Sequence, residues 1–312
     1  KTAPPVIIPK NLPPPMENPI QLVGSITLAL IPAIIWGVLF YLKRPENRKL
    51  STWTFLAGAI SVFPILLYKL SWQYFPQLNA FRLAENYKYD FIGFTTFTVL
   101  PLSVIITFML VGVIEEIMKY VAVKVGNSDN LLTVDDAIMF FIIAALGFSF
   151  TENILYFYNI WVEEGLDKLM IPFMFRSLFS TFAHIMFSGI MGYYYGVAHF
   201  AKPFLQKEIR AHRKHWTILF HKILSIKKER LFHQEKFAEG LLIAVGLHAI
   251  FNIFLEMNLT FLTVPFLVGG YISLTYLFAK KENHKRYGHL FIGERNHEVN
   301  PHKNYFKSLL RF

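Results

Sequence analysis

The chain contains no cysteine. Disulfides, thiolate metal centres and thiol nucleophiles are thereby excluded, while the cellular compartment stays open. Other signatures are missing too: there is no Gly-rich phosphate loop and no internal repeat, no serine stands in a Gly-x-Ser-x-Gly elbow, and His-Glu-x-x-His does not occur. Serine hydrolysis and zinc hydrolysis of the usual kinds are both weakened by those absences.

Apolar residues are what the chain has in excess. They make up 54% of its 312 residues, and a mean hydropathy of +0.39 points to a polytopic membrane protein. Stretches near 21–42, 51–70, 92–125, 135–160, 170–200, 238–257 and 261–280 can each cross a hydrocarbon core of roughly 30 Å. The expected fold is all-α, a polytopic transmembrane helix bundle of about seven spans. Residues 1–20 are proline-rich and read as an extended extracytoplasmic arm. Residues 21–281 form the transmembrane domain, interrupted by a basic cytoplasmic insert at 203–236, and 282–312 a polar cytoplasmic tail. Lys1 in place of Met leaves room for an upstream segment.

The net charge of +10 follows membrane orientation better than nucleic-acid binding. Lys43, Arg44, Arg48 and Lys49 lie between the first two spans, and the insert between the fifth and sixth is lysine- and arginine-rich. Glu163, Glu164 and Asp167 mark the loop between the fourth and fifth. The positive-inside rule then sets the N-terminus outside and the C-terminus in the cytoplasm. The insert also carries Trp216, Phe220 and Phe232, with Ile218, Leu219, Ile223, Leu224 and Ile226 at helical spacing. It reads as an interfacial amphipathic helix on anionic lipid.

Polar residues inside spans are few, and in lipid they should face the bundle interior or a wet cavity. The third span, read as one helix from near Phe91, offers Glu115, Glu116 and Lys119; the fourth offers Glu152 and Asn153. The fifth carries Arg176, Ser177, Ser180, Thr181, His184 and Ser188, and the sixth His248 and Asn252. Lys119 follows Glu115 by four residues and Glu116 by three, so either carboxylate can pair with it. Ser177, Thr181, His184 and Ser188 form one stripe, and His248 and Asn252 share a face. Counted from the expected cytoplasmic helix ends, the Glu pair lies roughly 13 Å deep, His248 roughly 15 Å, and Glu152 and His184 roughly 24 Å. Tilted or protruding helices would bring these levels together.

Each residue has an ordinary structural reading: an ion pair for the Glu-Lys group, interhelical hydrogen bonds for His184 and Asn252, a capping bond for Asn153, a carboxylate partner for Arg176. Taken together, carboxylates, imidazoles and an amide in a dry pocket supply parts for water activation and oxyanion stabilisation. Ser180 shares a face with His184 but lacks an elbow, and Glu116, Glu152, His184 and His248 are types that also bind metals. No metal and no other cofactor is called for on this reading.

The same residues, in order, resemble the PrsW family of glutamic intramembrane proteases, relatives of the type II CAAX prenyl endopeptidases. The motifs are Glu115-Glu116-Ile117-Met118-Lys119; Gly147-Phe148 leading to Glu152-Asn153; Arg176-Ser177 leading to His184 and then Gly189, Gly192 and Gly196; and His248 with Asn252. The likeness extends over roughly residues 24–280. In the CAAX relatives a histidine generally stands where Glu152 stands here. The resemblance implies hydrolysis of a peptide bond in a membrane-anchored protein, such as an anti-sigma factor, without a covalent enzyme intermediate. It implies Glu115 as general base, Glu116 as its support oriented by Lys119, Glu152 sharing the water or its proton, and His248 with Asn252 at the oxyanion. His184 would assist the leaving amine, with Asn153 and Arg176 in supporting positions. Two rival classes remain: a proton-coupled transporter, for which inverted repeats are expected and absent, and a non-catalytic peptide-binding scaffold.

Overall fold

The structure, a computed structural model, describes residues 18–41, 48–93, 99–127, 131–210 and 226–277. The proline-rich arm up to residue 17, residues 211–225 of the basic insert and the polar tail fall outside the described residues.

Helix α1 (Pro19–Tyr41) opens with proline in its first turn, where the missing N–H costs nothing, and the Asn18 side chain caps Ile20 N at 3.1 Å. The expected second span is two helices, α2 (Arg48–Ile60) and α3 (Phe63–Tyr74), broken where Pro64 removes a helical donor. Ser61 Oγ donates to Gly58 O at 2.7 Å beside that break. A single turn, α4 (Arg82–Glu85), leads into β1 (Phe91–Gly93), which pairs antiparallel with β2 (Val99–Pro101).

That hairpin corrects the third span. Residues 91–93 and 99–101 are extended, and α5 (Leu102–Asn127) starts only after Pro101. Proline disfavours helix for the residue before it and is well placed at a helix entrance, while Leu102 N donates to Asp90 O at 2.8 Å and closes the hairpin. Helix α6 (Val134–Glu163) begins at a capping box in which Thr133 Oγ1 accepts from Asp136 N and the Asp136 carboxylate accepts from Thr133 N. Gly165, at φ 91°, turns the chain into α7 (Leu166–Phe175). A π-helical turn, Arg176–Ser180, then joins α7 to α8 (Thr181–His199). The chain continues through α9 (Ala201–Arg210), α10 (Lys228–Glu256) and α11 (Thr260–Leu277).

Helix α10 begins ten residues before the expected boundary near 238. Phe232, assigned from sequence to a lipid-facing insert, is buried against α8 and α9 residues Val197 and Phe204. Among the described residues six helical segments are long and apolar enough to span a bilayer. The remaining expected span, α5, has 26 residues but carries Glu115, Glu116, Lys119 and Lys124. The whole is a helical membrane bundle.

Helix α6 is its axis: 72% of its apolar stretch is buried, against 17–39% in the other candidate spans. It packs on α1, α2, α5 and α8. Small residues allow this. A Cβ on Gly147 would strike Phe55 O and Ala59 N of α2, and one on Gly58 would strike Ala144 O of α6, so the two backbones touch. This contact fixes the height of α6, and with it Glu152, against the rest of the bundle.

Candidate active site

The charged residues of α5 form the floor of a buried cluster. Lys119 has no exposed surface; its Nζ donates to Glu116 Oε1 at 2.7 Å and stands 3.8 Å from Glu115 Oε2. It also sits 4.7 Å from the centre of the Phe148 ring, on α6. A third contact crosses to α8, where Nζ lies 2.9 Å from His184 Nδ1. An ammonium only donates, so Nδ1 carries the lone pair and Nε2 the hydrogen. Nε2 lies 3.1 Å from Glu152 Oε2 on α6, an ion-pair distance without hydrogen-bond alignment.

Glu116 is satisfied on both oxygens. Besides Lys119, Oε1 faces His248 Nδ1 at 3.1 Å, and Oε2 accepts from Ser188 Oγ at 3.2 Å. The bond to a carboxylate places the hydrogen of His248 on Nδ1 and leaves Nε2 as a lone pair. Its ring is stacked on Phe187 at 5.4 Å and meets the edge of His184 at 5.3 Å.

Glu115 differs from its neighbour. Its Oε2 is buried and makes no hydrogen bond, with His248 Nε2 at 3.6 Å and Lys119 Nζ at 3.8 Å. A buried acceptor left open is a place where a water, a substrate group or an ion belongs.

Glu152 is held from the other side by Arg176, whose Nη2 lies 2.8 Å from Oε2. The same guanidinium donates through Nε to Asn153 Oδ1 at 2.7 Å and covers the Tyr156 ring at 4.4 Å. Arg176 opens the π-helical turn. Trp36 of α1 donates its indole N–H to Ser177 O at 2.9 Å, and Thr181 Oγ1 donates to Arg176 O at 2.9 Å. The polar stripe expected along α8 is thus divided: Ser188 serves Glu116, while Thr181 lies near Asn153 at 3.4 Å.

Glu115, Glu116, Lys119, Glu152, His184 and His248 are therefore brought into one cluster, with Asn153 and Arg176 adjoining Glu152. Asn252, one turn beyond His248, is half-buried and makes no hydrogen bond among the described residues. The different depths counted from sequence are reconciled because helix ends do not share a level. From its own end Glu116 is roughly 17 Å along α5, Glu152 roughly 27 Å along α6 and His248 roughly 30 Å along α10. Phe148, Phe187 and Trp36 went unassigned in the sequence. Phe148 follows Gly147 within a motif and was within reach, whereas Trp36 gave no signal.

Residues 46–279 match a family described as PrsW family intramembrane metalloprotease. The chain belongs to the PrsW family. Among PrsW relatives, the protein named Protease PrsW from Halalkalibacterium halodurans is 29% identical over 202 residues, 62% of this chain and 75% of the relative. That from Shouchella clausii is 26% identical over 182 residues, 57% and 71% of the two chains. A Geobacillus kaustophilus protein of the same name is 32% identical over 96 residues, 30% and 39%. No solved structure matches. The PrsW match begins after α1, later than the sequence resemblance near residue 24 implied. Membership makes the chain a multi-pass membrane protein and an intramembrane endopeptidase, a hydrolase whose substrate is itself a membrane protein.

The PrsW description names a metal, and the cluster is a fair test of it. Glu115, His184 and His248 offer one carboxylate oxygen and two ring nitrogens within 4.8 Å of one another. Oxygen and imidazole donors suit zinc and similar divalent ions. Glu115 Oε2 is open, and Glu116 holds His248 Nδ1 as an outer carboxylate commonly holds a ligating histidine. Counted as ionised, the carboxylates of Glu115, Glu116 and Glu152 outnumber the cations of Lys119 and Arg176 by three to two. In charge and donor type the residues fit a divalent cation, with Glu115 Oε2 and His248 Nε2 free to bind it and His184 Nδ1 having to exchange its Lys119 donor for the ion.

Proposed function

We propose that this cluster hydrolyses a peptide bond of a membrane-anchored protein by water activated at Glu115. The observation that carries the reading is the buried Glu115 Oε2, which has no hydrogen-bond partner and faces His248 Nε2 at 3.6 Å. A water between them would give one proton to Glu115 as its oxygen bonds to the scissile carbonyl carbon. The C–N bond then breaks, and the proton held by Glu115 passes to the leaving amine.

The neighbours have distinct parts. Glu116, bound by Lys119, His248 and Ser188, positions the histidine and takes no proton. Glu152, tied to His184 Nε2 and Arg176, holds His184 at the edge of the water site, from which it can reach the leaving amine. Asn252, half-buried and without a partner, supplies an amide N–H to the oxyanion.

A second reading rests on the 4.8 Å grouping of ligand atoms: Glu115, His184 and His248 would hold a divalent cation, with Lys119 withdrawn from His184 Nδ1 and Glu116 and Glu152 supporting the two histidines. Such an ion would supply Lewis acidity at the carbonyl and a more acidic water. In that case Glu115 acts as a ligand.

A membrane-bound anti-sigma factor is the substrate this reading favours, as the family resemblance implies. The charge distribution supports an outside N-terminus and a cytoplasmic C-terminus. Division into a 1–20 arm, a 21–281 protease domain and a 282–312 tail, with anionic lipid beneath the basic 203–236 insert, belongs to the same proposal. Membrane proteomes of cells expressing the wild type and Glu115→Gln test it: fragments present only with the wild type are expected. Identical fragments from both would refute Glu115 as the acting group.

A further inference from the structure

Thr181 belongs to the polar stripe of α8, is buried, and has no part in the hydrolysis proposed for the cluster. Its hydrogen bonds have a definite direction. The guanidinium of Arg176 only donates, so the Asn153 atom that faces Nε at 2.7 Å is the carbonyl Oδ1, and the amide nitrogen points the other way. There Nδ2 lies 3.4 Å from Thr181 Oγ1 and 3.5 Å from Ser149 Oγ. The Thr181 hydroxyl gives its own hydrogen to Arg176 O at 2.9 Å, since a carbonyl can only accept. Ser149 Oγ, 3.2 Å from Thr181 Oγ1, is then the donor of that pair.

Three bonds therefore close a ring: Arg176 Nε–H to Asn153 Oδ1, Asn153 Nδ2–H to Thr181 Oγ1, and Thr181 O–H to the carbonyl of Arg176 itself. The ring joins the side chain of Arg176 to its own main chain by way of α6. The same carbonyl also accepts from Thr181 N, the five-residue bond that makes the turn π-helical. Thr181 thus holds the first residue of the turn from the turn's far end, while Ser149 and Asn153, one turn apart on α6, hold Thr181. Ser149, Asn153 and Thr181 are each no more than 2% exposed, so no water replaces a bond that one of them loses.

We propose that Thr181 is a positioning residue for the hydrolysis: through this ring it sets the place of the Arg176 guanidinium, and thereby of Glu152 beside His184. The proposal rests on the hydrolase reading of the cluster. Arg176 Nη2 stands 2.8 Å from Glu152 Oε2, and the same oxygen stands 3.1 Å from His184 Nε2. A guanidinium whose Asn153 partner is no longer fixed keeps its charge near Glu152 but loses its direction. Small displacements of a positioning group are costly in rate. Thr181 has almost no surface to offer a substrate, so its effect falls on turnover and not on binding.

Thr181→Val keeps the shape of the side chain and removes both its donor and its acceptor, whereas Thr181→Ser keeps the hydroxyl. With the full chain in proteoliposomes and a membrane substrate, the valine variant should lose about tenfold in kcat with KM held within about twofold. The serine variant should recover most of that loss. A second readout needs no cleavage. Phenylglyoxal modifies accessible guanidinium groups, and mass spectrometry of the digested protein gives the rate at Arg176 relative to exposed Arg82. That ratio should rise about fivefold in Thr181→Val, the population shift that loss of one hydrogen bond produces, and stay at the wild-type level in Thr181→Ser. Equal losses of kcat in the valine and serine variants, or an unchanged ratio in Thr181→Val, would overturn the proposal. Where Thr181→Val does not fold, Ser149→Ala takes its place: it removes a donor to Thr181 and should raise the ratio in the same direction, and indifference there would overturn the proposal too. If the wild type cleaves nothing, the hydrolase reading fails while the Arg176 ratio still decides the role of Thr181.

Discussion

Lys119 and His184, 65 residues apart in sequence, meet at 2.9 Å with the ammonium donating to Nδ1. This contact fixes the histidine tautomer and leaves Nε2–H on the side of Glu152, whose Oε2 lies 3.1 Å away. It also joins the α5 and α6 carboxylates through a single imidazole on α8. Lys119 therefore does more than neutralise Glu116: it sets the proton arrangement of the cluster.

Replacing Lys119 by Met leaves the Glu116 carboxylate buried without its cation. Breaking such a pair costs about 3–5 kcal/mol, so thermal unfolding in detergent should fall by many degrees. Adding Glu116→Gln should restore part of the melting temperature, because only the Glu115 carboxylate then remains without its cation. Activity should stay lost in the double variant, since His184 then lacks its donor. Recovery of cleavage along with stability would reduce the pair to a structural role.

Glu115→Gln keeps the shape of the side chain and removes its capacity to take a proton. The buried Glu115 Oε2 has no hydrogen bond to lose, so the melting temperature should hold within a few degrees. Turnover of a membrane substrate should drop on the order of 10²–10⁴-fold. Glu116→Gln should instead lower stability and activity together, because Lys119, His248 and Ser188 all lose a charged partner.

Chelation separates the two readings of Glu115. With the carboxylate as base, protein dialysed against EDTA should cleave at its original rate, and elemental analysis should find no stoichiometric metal. One equivalent of cation, lost in both Glu115→Gln and His248→Ala, would transfer Glu115 from base to ligand. The measurement of metal content stands apart from activity, so an inactive preparation still gives an answer.

Much of the bundle could be read from the chain because lipid enforces long apolar helices, and the intramembrane charges announced themselves by being costly there. The hairpin at 91–101 could not, since a short apolar run suits strand and helix alike until partners decide. The π-turn at Arg176–Ser180 has no sequence period of its own, and it divided a stripe that looked continuous from Ser177 to Ser188. Asn252 shares a helix with His248, yet spacing on one helix does not tell which neighbours a side chain reaches. The open oxygen of Glu115 against the filled ones of Glu116 is a property of three-dimensional packing alone.

Gly147 tests the helix contact that sets the height of Glu152. A methyl group there would land on backbone atoms of Phe55 and Ala59, which cannot rotate away. Gly147→Ala should therefore push α2 from α6, lower the melting temperature and reduce turnover. Gly246→Ala, with open space over it, should leave melting unchanged. A tolerant Gly147 would mean that α2 can shift without disturbing the cluster.

Trp36 lies outside the stretch that matches the family, yet its indole N–H reaches Ser177 O within the π-turn at 2.9 Å. A π-turn leaves backbone carbonyls poorly matched to helical donors, so an outside donor stabilises it. The turn begins at Arg176, the residue that holds Glu152 and Asn153. Trp36→Phe preserves the stacking with Phe182, at 5.2 Å, and removes only the donor. A three- to tenfold loss of kcat with little change in KM is expected, at a cost in stability of about 1 kcal/mol. Arg176→Lys should lower kcat further on its own, because a lysine cannot bridge both partners. If Trp36 acts through Arg176, the double variant should be no slower than Arg176→Lys alone. Multiplying losses would show that Trp36 supports the bundle elsewhere, and the π-turn would then hold Arg176 without help from α1.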